Sequence, residues 1–107
     1  MANTISNGME RAATSAERAA ALVEIFKANK GDSAQNQRAR LLEALQRFGS
    51  ITTIEARKYL DVLSPAPRIF ELRRTIGRDR IKTYRVRQAS DSGKLHLVGL
   101  YVLEAKV

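Results

Sequence analysis

A chain of 107 residues with a formal net charge of +8 has room for one compact domain and a tail, and its basicity points to polyanionic partners. The absence of Cys and the presence of a single His exclude a disulfide scaffold, a thiolate metal site and a cysteine nucleophile, and leave no basis for expecting a cofactor or an enzyme. No apolar run approaches the ~20 residues of a bilayer-spanning helix, and Met1–Gly8 lacks the basic and apolar parts of a secretory signal, so a soluble cytoplasmic protein is expected.

Residues 1–13 offer little to bury and are expected to be flexible. Thr14 with Glu17 forms a potential capping box ahead of the Ala-rich run Ala16 to Ala28, which stops at Asn29-Lys30-Gly31. An accessory helix over 14–31 follows from this. Its larger apolar residues, Leu22, Val23, Ile25 and Phe26, need a surface to pack on. That surface is either the chain's own domain or a second copy, in a homodimer through residues 14–29.

Gly31 to Asn36 reads as a linker. Leu41, Leu42, Leu45 and Phe48 then recur at helical spacing over Gln37 to Phe48, and Gly49 provides the stop. After a short extended link, Ser50-Ile51-Thr52, a second capping box of Thr52 and Glu55 starts a short helix that ends near Leu60. Asp61-Val62-Leu63 makes a turn. Ser64 as N-cap and Pro65 at the first helical position open a third helix, which closes at Ile76-Gly77. Ile81 to Ala89 alternates as a strand, Ser90 to Gly93 is a turn, and Lys94 to Leu103 is a second strand rich in Leu and Val.

Three helices, the last two joined by a turn of about four residues, followed by a hairpin, give the order of a winged helix-turn-helix. The expected fold class is therefore mainly α with a β-hairpin wing (α+β). A winged domain over 36–103 carries the accessory helix in front of it.

The charge is concentrated where such a fold meets nucleic acid. Residues 1–32 are balanced, whereas residues 65–89 hold eight basic residues against Glu71 and Asp79, which accounts for +6 of the total +8. On the third helix, Ile69, Leu72 and Ile76 face the core and Pro67, Phe70, Glu71 and Arg74 the opposite way, toward a major groove. Arg74 suits a bidentate guanine contact, Glu71 a cytosine amino group and Phe70 a thymine methyl. Phosphate contacts are expected from Thr53, Ser64, Arg68, Arg73, Arg78, Arg80, Lys82, Arg85, Arg87 and Lys94.

Each assignment has a plainer rival. Phe70 packs equally well against the accessory helix or a partner, His96 and the tyrosines suit structural roles, and the basic stretch would also serve as a solvated face. Sequence-specific double-stranded DNA binding leads. A protein-interaction module and a non-specific basic nucleic-acid-binding protein are the alternatives.

The segments Gln37-Arg38, Gly49-Ser50-Ile51-Thr52-Thr53-Ile54-Glu55-Ala56-Arg57 and Leu63-Ser64-Pro65-Ala66, with Arg68-Ile69 and Glu71-Leu72-Arg73, resemble a family of small winged helix-turn-helix proteins of bacteriophages and prophages. The resemblance implies a DNA-binding, non-enzymatic transcription regulator. Asp61 stands where that family's turn usually carries Gly, and Pro67 where a smaller residue is usual.

Overall fold

The computed structural model describes residues 9–105, so the expectation for Met1–Gly8 lies outside the described residues. Four helices come in chain order with three strands: α1 (Ala16–Ala28), α2 (Ala34–Phe48), β1 (Ser50–Thr52), α3 (Thr53–Tyr59), α4 (Pro65–Ile76), a single 3₁₀ turn at Arg78–Arg80, β2 (Ile81–Ala89) and β3 (Leu95–Leu103). This is the α+β winged helix-turn-helix arrangement that the order of elements predicts.

Local chemistry sets most boundaries. The Thr52/Glu55 capping box forms in both directions and starts α3. Gly49 ends α2 in the left-handed conformation, φ 81°. Asp61, at φ 53°, takes the left-handed position in the α3–α4 turn that glycine would otherwise fill.

Three helix starts differ from expectation. The N-cap of α1 is Ser15, whose side chain accepts from the Arg18 amide; Thr14 instead reaches across to α3. The α2 helix begins three residues early, because Ser33 caps the Asn36 amide and turns part of the supposed linker into a first turn. Ser64 precedes α4 without any side-chain capping bond, so the start of that helix rests on Pro65 and its preset φ.

The sheet has strand order β1-β3-β2, all antiparallel. Ser50-Ile51-Thr52 is thus a third strand rather than a mere link. It pairs with the base of the hairpin in the register Ser50–Val102, Ile51–Tyr101 and Thr52–Leu100. Leu41, Ala44 and Leu45 of α2, Ile51, Ala56 and Leu60, Ile69 and Leu72 of α4, and Ile81 and Tyr101 of the hairpin form one core. Leu22 and Ile25 of α1 are buried in that same core, so the accessory helix folds back on its own domain.

Residues 9–12 also lie on the domain. The Arg11 amide donates to the Arg87 carbonyl at 2.7 Å and the Arg87 amide to the Met9 carbonyl at 2.8 Å, which places this segment along the outer edge of β2.

Candidate nucleic-acid interface

The α4 helix presents its outer face because its inner one is consumed. Pro65, Ile69 and Leu72 are buried, while Pro67, Phe70 and Arg74 are exposed on the far side. Phe70 is 60% exposed, so neither α1 nor the core covers it. Glu71 behaves differently. Arg38 of α2 donates to its carboxylate at 2.8 Å and Arg68 at 3.0 Å, which holds its pKa below the usual carboxylate range and turns it toward α2.

The hairpin stands beside the start of this helix. Pairing Arg85 with Gly99 and Arg87 with Leu97 puts those four residues on one face of the ribbon, and Lys82, at the other parity, on the opposite face. Thr53, Ser64, Pro67 and Arg85 meet around one open cleft between α3, the first turn of α4 and the wing. Gly99 allows this approach: a Cβ there would sit 3.2 Å from the Thr53 hydroxyl and 3.2 Å from that of Tyr101. The wing is braced at its far end, where Lys58 of α3 pairs with Asp91 in the turn.

A family model for the winged helix-turn-helix domain matches residues 36–106, which runs from the first turn of α2 through β3 and leaves out α1. The chain belongs to the winged helix-turn-helix domain family. No curated protein and no solved structure matches it. The winged helix-turn-helix is a DNA-binding fold, and α4 stands in its recognition-helix position.

Within this winged helix domain the basic side chains fall into two groups. Arg73 donates to the Ile81 carbonyl at 2.9 Å and the Thr83 hydroxyl at 2.7 Å, which staples the end of α4 to β2. Arg80 donates to the Glu104 carbonyl at 3.0 Å, and Arg68 is held by Glu71. Arg74, Arg78, Lys82, Arg85, Arg87 and Lys94 are exposed and have no side-chain partner among the described residues. The second group carries the uncompensated positive field.

Sequence reasoning passed over three groups that shape this surface. Arg57 of α3 lines the same cleft as Arg85, oriented by a 2.8 Å bond from its Nε to the Leu63 carbonyl. Its place one turn beyond the capping box was the available signal.

Glu55, beyond its capping role, is buried at the centre of a polar network. Arg18 donates to it twice, at 2.9 and 3.1 Å, Thr14 at 2.7 Å and the Thr52 amide at 3.1 Å. Burial works to raise the Glu55 pKa, but the bonds from Arg18, Thr14 and Thr52 prevail and hold it below the ordinary value. The Thr52 hydroxyl then donates to Gln88 Oε1, and Gln88 Nε2 to the Ala12 carbonyl, which links the helix-turn-helix to the wing and the N-terminal segment.

Arg40 is fully buried beneath the α3–α4 turn. It donates to the carbonyls of Leu60, Asn29 and Gly31, and its guanidinium lies 5.2 Å from the centre of the Phe26 ring. Burial lowers its pKa, partly offset by Asp61 and Asp32. Among the described residues no cluster of three or more His, Asp or Glu is placed to hold a metal ion, and no helix is long and apolar enough to cross a membrane.

Proposed function

We propose that this chain is a sequence-specific reader of double-stranded DNA, acting in the cytoplasm as a transcriptional regulator of the phage or prophage type. One observation carries the reading: the outer face of α4, with Arg74 exposed, stands next to a wing, and neither Arg74 nor the wing's exposed cations have a side-chain partner among the described residues. In this reading α4 enters the major groove and the wing follows the backbone.

Arg74 is the guanine contact, and Phe70 and Pro67 lie against thymine methyl groups. Glu71 reaches a base only by giving up Arg38 or Arg68. Phosphate contacts come first from Arg78, Lys82, Arg85, Arg87 and Lys94, then from Thr53 and Ser64 in the cleft. Arg68, Arg73 and Arg80 contribute charge while holding the scaffold. A homodimer through residues 14–29 would use the outer side of α1, since Leu22 and Ile25 are already in the domain's own core.

The test is selection from a randomised duplex library at about 150 mM salt, with Arg74→Ala alongside. An enriched motif that the variant relaxes at one position supports the reading, and equal retention of all duplexes refutes it. A protein-interaction role is the second reading, favoured by the exposure of Leu63 and Phe70. A complex insensitive to salt, formed by a protein that retains no duplex, would establish it.

A further inference from the structure

The large apolar side chains that the described residues leave exposed are Leu63, Phe70, Leu95 and Leu97. The first two belong to the helix-turn-helix, whereas Leu95 and Leu97 sit on the wing, close to half exposed. Strand register fixes where they point. Arg87 pairs with Leu97 and Ala89 with Leu95, so the two leucines share the ribbon face that carries Arg85 and Arg87. That face looks onto the cleft beside the start of α4, because Leu97 lines it together with Pro67 and Arg85.

The two half-exposed leucines form an apolar strip on a ribbon face whose exposed charges, Arg85 and Arg87, are cationic. The carboxylate of the hairpin turn, Asp91, is engaged by Lys58, which leaves Arg85 and Arg87 to set the charge on the leucines' face. The complementary surface is a polyanion with apolar faces inside it, which describes a DNA groove opened between base pairs. Two same-face positions along a strand are about 6.7 Å apart, close to two base-pair steps of about 3.4 Å. A wedge must also be stiff. The Met9–Arg11 segment, bonded to the Arg87 backbone, supports this one along its outer edge, and the solvent-exposed Lys58–Asp91 pair adds a weaker tether at the far end.

Resting on the DNA-reading function above, we infer that the wing enters the minor groove with Leu95 and Leu97 as an apolar wedge between base steps, and bends the duplex. Arg85, Arg87 and Lys94 grip the flanking phosphates. The wedge favours sites with a pyrimidine–purine step under the wing, where unstacking is easiest.

The experiment uses the duplex enriched from the library, labelled at both ends, and reads its end-to-end distance by energy transfer with the full chain and with Leu95→Ala/Leu97→Ala. Both leucines are exposed, and a melting curve checks that the double variant remains folded. The expected result is a bend of about 20–90° with the original chain. The folded variant should leave the duplex straight and bind about tenfold more weakly. A straight complex with the original chain, or an undiminished bend with the variant, overturns the wedge and leaves the DNA-reading function standing. Failure to enrich any duplex overturns both.

Discussion

Replacing Arg40 by Met keeps most of the buried stem and removes the guanidinium. Its Nε lies 2.7 Å from the Leu60 carbonyl and its Nη1 2.7 and 2.8 Å from those of Asn29 and Gly31, all beneath a surface that leaves Arg40 fully buried. Hydrogen bonds to a charged group contribute roughly 1.5–3 kcal/mol each, but the chain recovers the cost of burying the charge when the group is removed. The three closest carbonyls orphaned, with the longer 3.4 Å bond to the Asp61 carbonyl lost as well, against one recovered desolvation cost leave a net loss of about 3 kcal/mol. In a domain of this size that lowers Tm by about 12–20 °C. Thermal unfolding followed by circular dichroism measures it, with Arg40→Lys restoring only part of the loss, because a single ammonium cannot reach carbonyls on separate loops. A melting point within 3 °C or so of the original would refute the reasoning, and would mean that burying the charge costs as much as its hydrogen bonds return.

The remaining expectations concern other sites. Glu55→Gln is expected to cost about 3 kcal/mol near neutral pH, because Arg18 keeps its place without a counter-charge. The Glu55 pKa is depressed in the folded chain, so its contribution is fully present above the unfolded carboxylate value of about 4.3 and fades as pH falls through the lower folded value. Urea titrations between about pH 3 and 7 should therefore show a flatter acid limb in the variant. Gly99→Ala should cost about 1–2 kcal/mol by pushing the wing from Thr53. Gly49→Ala, with nothing within 4 Å of the added carbon, should lose about 1 kcal/mol through its left-handed backbone alone; chemical denaturation separates the two from the parent. Arg85→Ala and Arg87→Ala should each flatten the salt dependence of duplex binding by about 0.9 in log–log slope, whereas Arg73→Ala should lower Tm as well.

The helices were legible where apolar residues recur at helical spacing, as at Ile69, Leu72 and Ile76, and where capping chemistry is local, as at Thr52 and Glu55. They were misjudged where neighbouring hydroxyls compete for one cap. Thr14 and Ser15 are equivalent on sequence grounds, and only the distant carboxylate of Glu55 decides between them. The first turn of α2 carries Ala, Gln and Asn, which have no apolar period to mark it. Ser50 to Thr52 is too short to show that it joins a sheet.

Arg40 was illegible for a deeper reason. A charged residue on an amphipathic helix ordinarily belongs to solvent, and its burial follows from two turns far apart in the chain that close over it. The outward set on α4 followed from its helical phase. Which cations remain unpaired depends on long-range acceptors such as the Ile81 and Glu104 carbonyls.

The N-terminal segment has one more consequence. The family match begins at residue 36, yet Leu22 and Ile25 fill the core, Arg18 neutralises Glu55 and Thr14 donates a hydrogen bond to it, and Met9 to Arg11 occupy the outer edge of β2. The unit that can be recognised by homology is thus smaller than the unit that packs around one core. A fragment trimmed to the family boundaries would carry an unfilled hollow, a stranded buried carboxylate and an open strand edge inviting other chains to pair with it.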